Sequence, residues 1–317
     1  MTATALPMKK RVGKTRGDRI FDIILYTVAV LMVIVALYPM YFIIIASVSD
    51  PNLVAQGEIL FLPRRMTLEG YRYLLSMGNL WTGYGNTILY TLAGTLIMLA
   101  VNLPVAYALS RKDLVGRKFF TLFFVFPMFF SGGLIPTFII VNNYFHLLDT
   151  FTVMVLPFSV ITYYIIVART FFQNNLPAEL WEAAQIDGCG NLRYFFQVVL
   201  PLSKAIIAVI ALWAAVGHWN SYFNALIYLR TSEKYPLQLV MRNILINNEV
   251  VATQMTGSAA AEMNKKVNLI KYGAIVVSSL PIMTMYPFVQ KYFNQGVMIG
   301  AVKGRATELR VQRKEFS

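Results

Sequence analysis

The chain has 317 residues, of which 57% are hydrophobic and only 14% are charged, and its formal net charge is +13. Soluble domains carry about 25% charged residues, so this composition indicates a membrane protein. The basic residues lie in polar loops and at the termini, without a basic helix or an aromatic stacking module, which argues against nucleic-acid binding. The single cysteine, Cys189, excludes an intrachain disulfide framework and a cysteine-based zinc site.

Six apolar runs follow one another, each long enough to cross a bilayer as a helix. The basic segment 1–19 resembles the start of a signal peptide. However, the run after it is too long for a signal peptide and lacks a small-residue cleavage site, so we interpret it as the first span, kinked at Pro39. The predicted fold class is therefore an all-α, polytopic membrane protein with six transmembrane helices, at residues 20–48, 84–109, 119–141, 151–172, 205–229 and 267–289.

The distribution of lysine and arginine predicts the orientation of these spans. Eighteen of these residues lie in one alternating set of segments, which comprises the two termini and the loops 111–118 and 173–204; the other set holds eight. The set that is richer in basic residues lies on the cytoplasmic side of most membrane proteins. Both termini and the loop 173–204 are therefore predicted to lie inside the cell.

Residues 177–201 (PAELWEAAQIDGCGNLRYFFQVVLP) form a short polar island between the fourth and fifth apolar runs. Pro177 suits a first helical position, and Glu179 and Glu182 favour the positive end of a helix. Gly188 is predicted to end this helix, because glycine accepts the left-handed conformation that follows a last turn. The pattern predicts a helix of about ten residues with a small, alanine-bearing exposed face. The alternative is an ordinary amphipathic surface helix.

The spacing within this island resembles the EAA signature of importer-type ABC permeases. In that family the loop forms a coupling helix that sits in a cleft of a separate ATP-binding subunit, and this resemblance implies the same role here. The residues that carry the resemblance, and that are predicted to couple the chain to the ATPase, are Glu182, Ala183, Ala184, Gly188, Leu200 and Pro201.

Further motifs resemble the carbohydrate-type permeases of the maltose kind. They are Trp219-Asn220, residues 235–238 (YPLQ) and the closing run 290–304. The resemblance implies an assembly in the membrane lipid of a bacterial inner membrane, with a second permease chain of different sequence, two ATP-binding subunits and an extracytoplasmic solute-binding protein. ATP and Mg²⁺ would bind to the partner ATPase, so no cofactor and no enzymatic activity is expected of this chain.

The resemblance also suggests how the chain is divided. Residues 1–19 are the cytoplasmic N-terminus, 20–83 the first span with an outer loop, 84–293 the permease domain with the coupling loop 173–204, and 294–317 a cytoplasmic tail. The expected function is to form half of the pore for a sugar or oligosaccharide. The alternatives are an ABC permease for a peptide, amino acid or modified solute, and a self-sufficient secondary carrier. No acidic residue falls inside a span except Asp22 at an edge, which disfavours ion-driven transport and intramembrane hydrolysis.

The fifth apolar run has the most polar middle of the six. Amides in hydrocarbon are costly unless they face protein or water, so a polar stripe there should face a cavity or a neighbouring helix. Aromatic rings stack on sugar faces and amides bond hydroxyl groups, whereas the alternative role is to hold helices together. His218 is interpreted as a packed polar residue. The candidates for the substrate path are Trp213, Gly217, Asn220 and Asn224 on one stripe, with Tyr163 from the fourth run.

Overall fold

The structure is a computed structural model that describes residues 15–254, 267–268 and 270–284. The described residues are mostly helical and contain no strand. The predicted tail 294–317 and closing motif 290–304 lie outside them. In chain order the helices are α1 (Arg16–Ser47), α2 (Pro51–Ala55), α3 (Glu69–Ser76), α4 (Gly78–Ser110), α5 (Arg117–Phe129), α6 (Leu134–Ile139), α7 (Phe151–Val155), α8 (Thr162–Asn175), α9 (Ala178–Ile186), α10 (Asn191–Tyr194), α11 (Leu200–Leu202), α12 (Lys204–Trp219), α13 (Tyr222–Tyr228), α14 (Leu237–Gln254) and α15 (Ile270–Thr284).

Helix α1 begins at a capping box. Thr15 Oγ1 accepts a hydrogen bond from the Asp18 backbone N–H at 3.2 Å, and Asp18 Oδ2 accepts one from the Thr15 N–H at 2.8 Å. The helix continues through Pro39 for 32 residues, and its only buried residues are Ile45, Ala46 and Ser47. Since its sides are apolar and uncovered within the described chain, α1 is suited to contact lipid or another subunit.

Among the described residues, two single helices, α1 and α4, are long and apolar enough to cross a membrane, and up to four spans result if each of two bent pairs counts as one. The third apolar run is such a pair, since α5 and the segment Leu134–Tyr144 meet at 113°. Gly133 lies at the bend with φ +82°, a conformation that side chains resist.

Two further predicted spans are also interrupted. The fourth run consists of α7 and α8, with residues 156–161 between them outside any helix, and the fifth stops at Trp219 and restarts at Tyr222. A helical interruption within a membrane protein is tolerated where side chains bond the freed backbone groups. Asn102 of α4 does so for the first break: its Nδ2 donates to Ser159 O at 2.6 Å, and its Oδ1 accepts from Ile161 N at 3.0 Å.

Helix α4 is the centre of the fold and packs against α8, α12 and α14. Its contact with α12 is close because Gly94 leaves room for the imidazole of His218: an added Cβ on Gly94 would lie 2.2 Å from His218 Nε2. His218 is buried, with 5% of its surface exposed. It is therefore a packed polar residue at a helix contact, as the sequence interpretation proposed.

Asp149 ties two loops together at the end of the fold opposite the polar island. Its backbone has φ +55°, and its carboxylate accepts hydrogen bonds from the backbone N–H groups of Arg230 and Thr231, from the Thr231 hydroxyl and, at 2.9 Å, from Lys234 Nζ. These donors hold the pKa of Asp149 well below its ordinary value, with the Thr231 hydroxyl contributing most. These hydrogen bonds of Asp149 join the segment before α7 to the segment between α13 and α14.

The Asp149→Asn variant should lower the stability of the assembled protein above about pH 4. The stability of the variant should also change less as the pH falls than that of the parent protein. A carboxylate with a depressed pKa stabilises the folded state above its ordinary pKa of 3.8, and this contribution is lost as the pH falls below that value. Asparagine tolerates positive φ, so the variant can keep the backbone conformation of Asp149. The measurement is the thermal inactivation rate between about pH 3 and 7. Glu233→Gln, which removes an exposed carboxylate nearby, is the control and should keep the dependence of the parent protein.

Candidate functional site

The polar island folds as a short exposed helix, α9, followed by a sharp turn. Pro177 takes the position before the first helical residue, one place earlier than the sequence suggested, and Asp187 closes the last turn. Gly188 follows with φ +71°, so the predicted left-handed glycine is present. The chain then folds back, and the Cys189 N–H donates to Ala184 O at 2.8 Å.

The two alanines of the motif do not share one environment. Ala184 and Trp181 turn inward and pack against the core beside α4 and α8, whereas Ala183 and Glu182 are exposed. Ile186 lies on the same outward side and is 88% exposed. The exposed face of α9 therefore combines one alanine, two glutamates and an isoleucine, instead of the two alanines that the sequence suggested.

Arg111, the residue after α4, holds α9 in place. Its guanidinium carbon lies 3.9 Å from the centroid of the Trp181 ring, while Nη1 donates to Tyr107 Oη at 3.0 Å and Nε to Asp113 Oδ1 at 2.8 Å. The hydrogen bonds with Asp113 raise the pKa of Arg111 and lower that of the carboxyl. A guanidinium stacked on an indole and also paired with a carboxylate is a specific anchor.

The Arg111→Ala variant should loosen α9, and Cys189, the only cysteine of the chain, reports this directly. Cys189 is half-buried behind α9, so its thiol should react about two- to thirty-fold faster with a maleimide when the cation–π contact is lost. Arg111→Lys keeps the charge without the planar fork and should give an intermediate rate. Lys112→Ala is the control, and equal rates in all variants would contradict the anchoring role.

The second half of the island runs from α10 through a π-helical segment, Phe195–Val199, into α11. Leu200 is half-buried against the same core cluster as Trp181, and Pro201 is exposed. The segment Asn191–Leu202 meets α12 at 84°, with Ser203 at the corner. Of the six predicted coupling residues, Ala184 and Leu200 thus pack against the same core cluster, whereas the other four are exposed. Their coupling role remains a prediction.

The structure brings together two of the substrate-path candidates. The ring centroids of Trp213 and Tyr163 lie 5.4 Å apart, and Tyr164 lies 5.8 Å from Trp213. Tyr163 is half-exposed, with 50% of its surface accessible. The three rings therefore form an aromatic cluster between α8 and α12, with Tyr163 at its exposed edge.

The predicted single stripe through the remaining candidates is wrong. Helix α12 ends before Asn220, whose Nδ2 donates to Val216 O at 2.9 Å, and Asn224 belongs to the separate helix α13. Ser221 accounts for the break, because its hydroxyl bonds His218 O at 2.7 Å and so competes with helical continuation. Gly217 is exposed with open space around it, and Asn224 is half-buried.

Two residues of the site escaped the sequence reasoning. Ile186 follows Ala183 by three positions, so an isolated apolar residue on the outward side of a polar helix was a readable signal. Arg111 had no such signal, because its contact with Trp181 joins residues seventy positions apart. Such contacts depend on the packing of distant segments, which local patterns do not contain.

Comparison with known proteins places this arrangement in a family. Residues 105–299 match the family described as binding-protein-dependent transport system inner membrane component. The polygalacturonan/rhamnogalacturonan transport system permease protein YtcP of Bacillus subtilis (strain 168) is 36% identical over 90% of this chain and 99% of its own, and Protein LplC of the same organism is 37% identical over 92% and 97%.

A solved structure agrees with these relatives. The crystal structure of a bacterial ABC transporter involved in the import of the acidic polysaccharide alginate matches with a TM-score of 0.77 and 33% identity, over 89% of this chain and 100% of that one. The matches extend across the whole relatives and include the island and the aromatic cluster. The chain therefore belongs to the family of binding-protein-dependent transport system inner membrane components.

Proposed function

We propose that this chain is one permease subunit of an ATP-driven ABC importer and forms half of a pore for an oligosaccharide delivered by an external solute-binding protein. The observation that carries this proposal is the full-length similarity to a permease and to a solved importer whose names both state polysaccharide transport. These relatives do not favour a peptide, an amino acid or a modified solute. They also disfavour a self-sufficient carrier, because the family depends on a separate binding protein.

The exposed face of α9 is the proposed contact with an ATP-binding subunit. Glu182, Ala183 and Ile186 present a small, partly apolar surface, and Trp181 and Arg111 fix the helix behind it. A rigid contact of this kind transmits displacement better than single exposed ion pairs, which contribute about 1 kcal/mol or less. ATP and Mg²⁺ bind to that subunit in this proposal, which includes two ATP-binding subunits and a second, different permease chain.

The proposed topology has six spans with both termini in the cytoplasm of a bacterial cell. The excess of basic residues on the side of the island supports this orientation. In this arrangement α1, α4 and the interrupted helical segments cross the membrane, and residues 267–289 form the sixth span. Cys189 provides a direct test: an impermeant maleimide should label it in inside-out vesicles and not in intact cells. Labelling from outside would overturn the proposed orientation.

Within the pore, the cluster of Trp213, Tyr163 and Tyr164 is the proposed surface along which sugar rings pass. Its support is the exposure of Tyr163 and the close spacing of the rings. Aromatic faces bind the apolar faces of sugars without a strong directional preference, which suits a path that a substrate must also leave. Gly217 and Asn220 add open, polar surface further along α12.

Transport by the reconstituted complex tests the function as a whole. The complete transporter in liposomes should accumulate a labelled oligosaccharide only when both ATP and the solute-binding protein are supplied. Labelled oligopeptides serve as the matched comparison and should not accumulate. Uptake by the purified chain alone would indicate a self-sufficient carrier, and uptake of peptides in place of sugars would overturn the substrate assignment.

A further inference from the structure

A pocket lined by none of the residues of the island or the aromatic cluster lies beside α14. It occupies the space between α13, α14 and α15 and has a volume of about 480 Å³. Pockets that hold small molecules have volumes of about 300–1,000 Å³, so this one is large enough for a sugar unit. The residues that line it include Tyr222, Gln238, Met241, Arg242, Ile275 and Ser278.

The walls of this pocket are held by buried hydrogen bonds. Trp219 Nε1 donates to Ser278 O at 3.0 Å, which fixes α15 against the end of α12. The Tyr84 hydroxyl donates to the carbonyl oxygen of Val277, the residue before Ser278. Backbone carbonyls of α15 are thus bonded by two buried or half-buried aromatic side chains, so the wall that carries Ser278 is rigidly placed.

The lining combines apolar and polar side chains in the way that sugars require. Met241 and Ile275 offer apolar contact, and Tyr222, with 42% of its surface exposed, offers a ring face and a hydroxyl. Gln238 supplies an amide that can both donate and accept hydrogen bonds. Together they suit a ring that has apolar faces and a hydroxyl-bearing edge.

Arg242 adds a positive charge to this lining. It is half-buried, and in the part of the chain that the structure describes it makes no salt bridge, whereas Arg111 and Lys234 each pair with an aspartate. A guanidinium presents a planar fork of donors that matches a carboxylate in two parallel hydrogen bonds. Because no acidic group among the described residues pairs with it, this half-buried arginine on the wall of a sugar-sized pocket is suited to an anionic ligand.

We propose that this pocket binds a carboxylated sugar unit, a uronate, and that Arg242 pairs with its carboxylate. The inference rests on the proposed function and deepens it, since it specifies acidic oligosaccharides as the substrate class. Gln238 and Tyr222 bond and stack the sugar ring, while Arg242 distinguishes the acid from its neutral counterpart. The discrimination arises because the neutral sugar leaves the guanidinium without its ionic partner.

The test compares one sugar with and without its charge. The complete transporter, in vesicles with ATP and binding protein, is supplied with labelled trigalacturonate or with its methyl ester. Arg242→Gln should reduce uptake of the free acid by at least about tenfold, the range expected for a lost hydrogen bond to a charged group, and change ester uptake by less than about twofold. Arg242→Lys, which keeps the charge, should restore part of the acid uptake.

Arg230→Gln is the matched control, because Arg230 is exposed and does not line the pocket. It should leave both uptakes unchanged. An equal loss of acid and ester in Arg242→Gln, or no loss of either, would overturn the inference. Import of neutral oligosaccharides alone by the unaltered transporter would also overturn it and leave the proposed function standing. A transporter that imports neither acidic nor neutral oligosaccharides would overturn both.

Discussion

Ala183→Arg is expected to reduce ATP-driven uptake at least about tenfold while the chain still inserts in the membrane. Ala183 is exposed on the outward face of α9, next to Glu182 and Ile186. An arginine there has no packing to disturb within the chain, but it enters the proposed contact with the ATP-binding subunit. Forcing a long side chain into a close protein contact and removing its charge from water costs several kcal/mol, more than a tenfold change requires.

The measurement is the ratio of uptake to ATP hydrolysis in the reconstituted transporter, together with the amount of ATP-binding subunit that copurifies. Ala178→Arg is the matched control, because Ala178 is also exposed on α9 but points about 140° away from Ala183. Ala184 is unsuitable for this test, since it packs against the core and an arginine there would disturb the fold itself. Normal uptake by Ala183→Arg would remove α9 from the coupling mechanism.

Gly94→Ala is expected to reduce the stability of the protein by about 1–3 kcal/mol, or more if the two helices separate. The new methyl carbon would lie 2.2 Å from His218 Nε2, a distance that non-bonded atoms do not adopt. His218 is buried on α12, and buried side chains are closely packed, so relieving the clash requires the ring to shift against its neighbours or α4 and α12 to move apart. The measurement is the inactivation half-life of the detergent-purified transporter at a fixed temperature.

Two variants separate this clash from a general effect of alanine. Gly217→Ala makes the same substitution on α12, where no atom lies within 4 Å of the added carbon, and it should be neutral or slightly stabilising. The double variant Gly94→Ala with His218→Ala removes the ring that the methyl group meets and should recover most of the lost half-life. A double variant no more stable than Gly94→Ala would show that the clash is not the cause.

The apolar runs and the island could be located from the sequence because each follows from a local property. Hydrocarbon-length runs of apolar residues predict helices, and Gly188 marks the end of α9 through its own backbone freedom. The break within the fourth run could not be located in this way, because it depends on Asn102, which bonds Ser159 and Ile161 nearly sixty positions away. The break within the fifth run lies at Ser221, and a serine in a sequence does not by itself fix whether its hydroxyl bonds the backbone and ends a helix.

The candidate site likewise has features that the sequence predicts and features that depend on tertiary contacts. The spacing of Glu182, Ala183 and Gly188 identified the island, but spacing alone did not show which side of α9 faces the core. That choice is made by Trp181, which packs on Arg111 and Tyr194 and so rotates Ala184 inward. Tertiary contacts decide the facing of a short helix whenever its own pattern is only weakly amphipathic.

The corner at Ser203 has a mechanical consequence. Because the segment Asn191–Leu202 meets α12 at 84°, a movement of that segment perpendicular to its own axis arrives at α12 end-on. An α-helix bends far more readily than it shortens, since its backbone hydrogen bonds run along its length. In the proposed coupling mechanism, the corner would therefore convert a sideways displacement of this segment into a lengthwise displacement of α12.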